Sequence, residues 1–337
     1  MTLFRSIAFV FIASVLTLQS VHAESTTLET RLNDEKYIAE MSQNLELPLA
    51  VRVQAVIELG QFSGANALIA IARASRADQY ELRLAAIEAV RFWSVKARWD
   101  VVSPLIMDDE TRVQAAAGDV LVSLWAELNT DQQAYLQPAV DQYVSTLKKI
   151  PSGFEVALEL ANVYRYQQQF IAAEKAYKAL IKQYPKQAVG YLQLSELYRQ
   201  GSEFYRQNNA ESLAHETLIQ GIAVNPQSAE LYYAQGLSYY RQGDFQQAEI
   251  ELRRAIDNDP NNGRYAYTLA VMINTAQPAE ALELYLQAHD NTGSPQYLYA
   301  LCESYIAQGY VVQTRQCIGK LKQVAPDNIV KQLTDKL

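Results

Sequence analysis

The sequence predicts an all-α protein built from repeated helix pairs, and three observations lead to this prediction. The 337 residues include only 13 glycines and 10 prolines, too few for the many tight turns of a β-sandwich or β-barrel. Apolar residues recur three and four positions apart, which is the spacing of one helix face. Similar helical segments also return at regular intervals, which is typical of stacked repeats. We therefore expect an α-solenoid.

The composition excludes several classes of function. About half of the residues are apolar (49%) and a fifth are charged, as in a folded chain. With 29 basic and 37 acidic residues the net charge is -8, and no Lys/Arg cluster occurs, so a nucleic-acid partner is not expected. Three histidines and two cysteines leave little material for a metal or haem site. No phosphate-binding, metalloprotease or esterase motif is present, so we expect neither an enzyme nor a cofactor.

The first 23 residues have the three parts of a secretory signal peptide. Arg5 gives a positive start, Ile7–Leu18 is apolar with two polar breaks, and Val21-His22-Ala23 forms a small-x-small exit. The apolar run is shorter than a membrane span requires. We expect residues 1–23 to be removed, which leaves an exported chain without a transmembrane segment. The alternative is a permanent N-terminal anchor.

Three similar segments in the first half carry arginines at equivalent positions. Arg52, Arg83 and Arg112 are 31 and 29 residues apart, each near the start of an amphipathic segment that follows another apolar helix. This pattern resembles HEAT repeats over residues 33–127, which implies helix pairs within a region spanning 24–150. The arginines could form a ligand-binding row. In HEAT-like stacks they more often pair with turn aspartates of the adjacent repeat, and we favour that role.

A second repeat type begins near residue 154. Residues Ala229–Asp259 contain a small Gly236 in the first helix and a Gly243-Asp244 turn, and Pro260 ends the unit. This segment resembles a tetratricopeptide (TPR) repeat. The closing prolines of successive units, at 185, 226, 260, 295 and 326, lie 41, 34, 35 and 31 residues apart, around the 34-residue TPR period.

The TPR resemblance implies about five units over 151–327 and a capping helix over 328–337. The HEAT-like helix pairs would continue into a right-handed superhelix. Between the two arrays, Thr130–Lys149 is a predicted connecting helix interrupted at Pro138, and Pro151-Ser152-Gly153 is the expected boundary. One TPR turn is lengthened around Ser202–Asn209.

Tyrosine is unusually frequent, with 22 residues, nearly all of them in the second half. In TPR arrays the first helix of each unit lines a concave groove, and this resemblance implies a row of tyrosines beside arginines. Such a groove suits a peptide with apolar or aromatic anchors and a carboxylate. The alternative is that the tyrosines only pack between repeats. The expected groove residues are Asn162, Arg165, Tyr166, Arg199, Tyr233, Tyr240, Arg241, Tyr267, Asn274 and Tyr299.

Together these features predict an exported periplasmic scaffold that binds a protein or peptide and assists assembly or maturation of a cell-envelope complex. One alternative is a peptidoglycan-binding module that uses groove tyrosines. Another is an accessory factor for an exported multihaem cytochrome or oxidoreductase, since similar HEAT–TPR regions accompany such cytochromes. This chain has no Cys-x-x-Cys-His of its own. His215 is predicted to be a surface residue, and His289 to lie near a helix end.

Cys302 and Cys317, the only cysteines, fall in the last TPR unit. Cys302 occupies the small-residue position of the first helix, and Cys317 lies on the returning helix at a similar height. An oxidising compartment would allow a disulfide between them. The competing prediction is two separate buried thiols, with Cys317 on the outer side of its helix.

Overall fold

The computed structural model describes residues 28–151, 153–205 and 209–336, and all regular structure in these ranges is helical. The predicted all-α class is confirmed. The predicted signal peptide, residues 1–23, lies outside the described residues. By its internal contacts the chain divides into two compact units, Met1–Ala176 and Tyr177–Leu337, which we describe separately.

The first unit is a succession of short helices whose buried faces are rich in alanine and branched aliphatic residues. Helices α2, α4 and α6 pack side by side in that order, as expected for equivalent members of successive pairs. The pairs fit a helical repeat, and their HEAT-like identity stays a prediction. The helices are α1 (Leu28–Gln43), α2 (Leu49–Leu59), α3 (Ala65–Ala74), α4 (Tyr80–Ala89), α5 (Val95–Val102), α6 (Thr111–Val122), α7 (Thr130–Lys149), α8 (Phe154–Tyr166) and the start of α9 (Phe170–Gln183).

Pro138 does not interrupt the connecting helix, contrary to the prediction. α7 runs unbroken from Thr130 to Lys149 although Pro138 lacks the N–H that would bond within the helix. Packing holds the helix together, because Leu136, Ala139 and Val140 are fully buried and α7 packs against α6. Gly118 of α6 makes this approach possible, since a Cβ there would lie 2.2 Å from the carbonyl oxygen of Ala139.

The predicted pairing of repeat arginines with turn aspartates holds for only one of the three. Arg83 forms an ion pair with Asp108 of the next turn, with Nε 2.8 Å from Oδ2. Arg52 instead donates from Nε to the carbonyl of Ser42 at 3.3 Å. The third, Arg112, pairs with a glutamate of its own turn and lies over a tyrosine ring at 4.0 Å.

The second unit is a series of helix pairs in which successive helices pack against each other. The pair α12–α13 turns at Gly243, whose φ of 81° is the left-handed conformation that favours glycine, and Asp244 then caps α13. The helices are α10 (Ala188–Gln200), α11 (Ala210–Val224), α12 (Ala229–Gln242), α13 (Phe245–Asn258), α14 (Gly263–Ile273), α15 (Pro278–Thr292), α16 (Pro295–Ala307), α17 (Val311–Leu321) and α18 (Asp327–Thr334).

The predicted boundaries of the TPR-like array lie near residue 151 and at the C-terminal helix. The last helix of the described residues, α18, buries Val330 and Leu333, and its role as a cap stays a prediction. α7 ends and α8 begins on either side of the expected boundary at 151–153. The division into compact units falls inside α9, between Ala176 and Tyr177, and the position at which the repeat type changes stays a prediction. No helix among the described residues is both long and apolar enough to cross a membrane.

Candidate peptide-binding face

The candidate site is the exposed side of the first helices of the second unit, α10, α12, α14 and α16, which we call the first-helix face. Tyr233, Tyr267 and Tyr299 occupy equivalent positions on three of these helices, 34 and 32 residues apart. All three side chains are half-buried and pack against the same hydrophobic core. They therefore contribute both to packing between repeats and to the surface.

Tyr233 is fixed by three neighbours from the next repeat. Its hydroxyl lies 3.2 Å from the Thr268 hydroxyl and accepts a hydrogen bond from Arg264 Nε at 3.1 Å. The Arg264 guanidinium also lies over the Tyr233 ring, 4.8 Å from its centre. Tyr265, which is buried, packs beside the ring with 4.9 Å between centroids. Tyr233 is thus held in one orientation on the surface.

Tyr267 is stacked on Tyr297, with 4.7 Å between ring centroids and 26° between planes. Its other contact is Tyr285, at 5.9 Å. Burial raises the pKa of Tyr285 to about 12, with smaller contributions from Tyr267 and Glu303. This group of rings places a rigid aromatic surface on α14 and α16.

The two predicted groove arginines of this unit are already paired within the chain. Arg199 donates from Nε to Glu196 at 2.7 Å, and this hydrogen bond is the main cause of its raised pKa. Arg241 donates from Nη2 to Glu211 of α11 at 3.1 Å. Both side chains use Nε and Nη2 in these contacts, so the guanidinium edge that binds carboxylates is occupied.

The remaining predicted residues of this unit lie at the turn ends of their helices. Tyr240 is 49% exposed and meets Phe245 edge to face at 5.4 Å. Asn274 accepts a hydrogen bond from the Ser304 hydroxyl at 2.9 Å. Asn274 thus links two repeats, whereas Tyr240 presents open aromatic surface.

Three predicted groove residues, all on α8, belong to the first unit. Asn162 forms a hydrogen bond with Glu159, whose pKa is raised mainly by burial. The Arg165 guanidinium lies 4.7 Å from the centre of the Tyr166 ring, and Tyr166 packs against the first unit's core.

Sequence reasoning missed two residues of this face. Arg264 precedes Tyr267 by three residues and Val271 follows it by four, so helical spacing alone places both beside it. Val271 is 52% exposed, an unusual position for a valine on an otherwise well-packed helix. The expected groove residues were chosen along the row of tyrosines, and the positions that flank this row on α14 were not included.

The two histidines in the described residues each lie within hydrogen-bonding distance of a neighbouring group. His215 was expected at the surface, but it is half-buried between α11 and α12, with Nδ1 3.1 Å from Gln235 Nε2 and the ring edge-on to Tyr239. The packing of α11 on α12 encloses this position. His289 lies in the last turn of α15, as predicted, 3.2 Å from the Ser294 carbonyl. In the described part of the chain, no group of three or more acidic, histidine or cysteine side chains is arranged to hold a metal.

The two cysteines lie on the facing helices α16 and α17. The structure joins Cys302 and Cys317 in a disulfide with 5.5 Å between their Cα atoms, and both side chains are buried. Cys317 faces inward, in contrast to the competing prediction. The bridge links the two helices of the last complete pair.

Comparison with known proteins supports the TPR resemblance. A tetratricopeptide-repeat family model matches residues 198–263, which include all of α11, α12 and α13, so the resemblance is confirmed in this segment. The general transcriptional corepressor ssn6 of Schizosaccharomyces pombe is 26% identical over 157 residues. That alignment covers 46% of this chain and only 13% of the corepressor.

Solved helical-repeat structures align at low identity. A thermophilic TPR protein of Thermus thermophilus is 23% identical, covering 58% of this chain and all of that one, with a TM-score of 0.41. PilW, described as a type IV pilus biogenesis factor, is 16% identical over 66% of this chain and 98% of its own, with a TM-score of 0.44. YrrB, described as a TPR protein with an unusual peptide-binding site, is 14% identical over 58% and 98%, with a TM-score of 0.41.

Proposed function

We propose that this helical-repeat protein is an exported, non-catalytic adaptor that holds a protein or peptide partner on its first-helix face. The observation that carries the proposal is the exposure of Val271 and Tyr240, 52% and 49%, on helices whose other large apolar side chains are buried or half-buried. Exposed apolar side chains beside rigidly held aromatic rings are typical of interaction sites.

The side chains around these two positions are held rigidly, which supports binding. Tyr233 is held by Arg264 and Thr268, and Tyr267 by Tyr297, so these rings lose little freedom when a ligand arrives. Preorganised aromatic side chains offer a large contact area at a low entropic cost. An extended or helical peptide segment could therefore bind without reshaping the face.

The same contacts favour a peptide over a glycan. Sugar rings stack on open aromatic faces, but one face of Tyr267 is covered by Tyr297 and one face of Tyr233 lies under Arg264. Their edges and the Val271 side chain are better suited to apolar side chains of a partner. The leader-like residues 1–23 support export, and an assembly or maturation role in the cell envelope is the corresponding biological proposal.

The test compares charge insertions on the first helices with one on a second helix of the same unit. The double variant Val271→Asp and Tyr240→Asp should lose the partner captured from envelope extract by the full-length protein. Leu286→Asp, on the second helix α15 and 40% exposed, should retain it. All three positions are exposed, so helicity by circular dichroism should stay unchanged. Equal capture by both variants would contradict the proposal, and retention on peptidoglycan instead of a protein would favour the glycan alternative.

A further inference from the structure

Arg264 has an open hydrogen-bonding edge that the other arginines of the first-helix face lack. Its Nε donates to the Tyr233 hydroxyl at 3.1 Å, and its plane is oriented by the ring below it. Within the described part of the chain, neither terminal nitrogen makes a hydrogen bond or ion pair. The two NH₂ groups therefore form an exposed, oriented pair of donors.

Arg199 and Arg241 provide an internal comparison. Each directs Nε and one terminal nitrogen at a glutamate of this chain, Glu196 and Glu211 respectively. A carboxylate ligand would have to displace those partners. At Arg264 no displacement is needed, so the charge-assisted interaction of a guanidinium with a carboxylate is still available.

Two carboxylates lie in the wider neighbourhood of Arg264. Glu230 and Asp259 act with burial to raise the pKa of the adjacent Tyr265, while Arg264 acts to lower it. Neither forms an ion pair with Arg264 within 4 Å in the described residues. They reduce the long-range attraction for an anion but leave the contact position itself free.

The second anchor lies on the same face of the same helix. Val271 follows Arg264 by seven residues, two turns of α14, which places it about 10 Å further along the helix axis. Between them lie Tyr267 and Thr268, which are held by packing and hydrogen bonds. An extended peptide covers this distance in about three residues.

We infer that the first-helix face selects peptides carrying a carboxylate, bound by Arg264, about three residues from an apolar side chain that packs on Val271. This inference rests on the proposed function and specifies its ligand. The carboxylate can come from an aspartate or glutamate side chain or from a chain terminus, because both present the same pair of acceptor oxygens.

The test uses synthetic peptides with one glutamate and one leucine in a Gly/Ser background, at separations of one to six residues. Each peptide is made with a free and with an amidated C-terminus, and each has a Gln-for-Glu counterpart. Binding to the full-length protein should peak near a three-residue separation. Arg264→Gln should weaken binding of the glutamate peptides by about tenfold or more. It should leave the glutamine peptides unchanged.

Arg199→Gln is the matched control and should have little effect, because Arg199 is already paired. A glutamate preference that survives Arg264→Gln, or binding that is independent of the glutamate, would overturn the inference. If amidation abolishes binding while Glu-to-Gln exchange does not, the carboxylate recognised is the terminus. Failure of the proposed function would give a different result. In that case Val271→Asp would not weaken the binding of any peptide.

Discussion

Arg241 of α12 is bound by Glu211 of α11, with Nη2 3.1 Å from Oε1, and the same carboxylate oxygen accepts a hydrogen bond from the Ser238 hydroxyl at 2.7 Å. A residue on the second helix of one repeat thereby fixes an arginine on the first helix of the next. The charges on the first-helix face are therefore determined partly by residues that are not on that face.

Replacing Glu211 should lower the free energy of unfolding of the second unit. Ser238 has no exposed surface, so Glu211→Ala leaves a buried hydroxyl without this acceptor as well as releasing Arg241. We expect a loss of about 1–3 kcal/mol in the free energy of unfolding, measured by urea denaturation. Glu196→Ala, which breaks the exposed Arg199 pair, should cost no more than about 0.5 kcal/mol. Equal losses would show that the Glu211 contacts contribute nothing beyond a surface ion pair.

The Cys302–Cys317 bridge should be present in protein purified without reductant. Closing a loop with a sequence separation of 15 contributes about 3 kcal/mol in the chain-entropy description. Reductant should therefore lower the melting temperature of the wild type but not of the Cys302→Ala/Cys317→Ala double variant. Thiol titration of denatured protein should find two thiols after reduction and none before. Two thiols before reduction would contradict the bridge.

Glu35 should stabilise the start of α3 from a distance. Its buried carboxylate, 3% exposed, accepts a hydrogen bond from the Ala67 backbone N–H at 2.9 Å, while the N-cap residue, Gly64, has no side chain to do so. Glu35→Ala should cost about 1–2 kcal/mol of unfolding free energy, as for a lost N-cap. Gly64→Ala should also destabilise, because its Cβ would lie 2.1 Å from the Glu35 carboxylate.

The losses of unfolding free energy caused by Glu35→Ala and Gly64→Ala should not be additive, since both substitutions disrupt the same contact. Gly319→Ala is the control, because Gly319 lies within α17 with no atom within 4 Å of a new Cβ. It should stabilise the protein by up to about 1 kcal/mol. A similar gain from Gly64→Ala would show that the cap is not formed.

Glu159 should make stability depend on pH. Burial, reinforced by the nearby charge of Asp119, raises its pKa above the ordinary glutamate value of 4.5. The folded chain then keeps a proton that the unfolded chain releases, so this group's contribution falls as pH rises from 4.5 through the raised value. The Glu159→Gln variant cannot titrate at this position, so it does not lose this contribution. Its stability relative to wild type should therefore increase as the pH is raised from about 4 to about 7. Glu155→Gln, in the first turn of the same helix, should show no such gain, and parallel pH profiles of Glu159→Gln and wild type would contradict the assignment.

Periodicity was sufficient to predict the helix pairs and the turn at Gly243, because each depends on local spacing and on a few special residues. It could not identify side-chain partners. Glu211 and Arg241 are 30 residues apart, and a repeat pattern indicates which helix faces meet but not which of several charged groups pair. Pro138 shows a related limit, since the burial of neighbouring residues in α7 outweighed a strong local signal.

Site-specific photo-crosslinking tests the central claim most directly. A photoreactive aromatic amino acid is placed at Val271 or, as the control, at Leu286, in the full-length protein in its own cells. Both positions are exposed, and they lie on the two helices of the α14–α15 pair. The account predicts a defined protein adduct at Val271 that is absent at Leu286. An adduct at Leu286 with none at Val271 would contradict binding on the first-helix face.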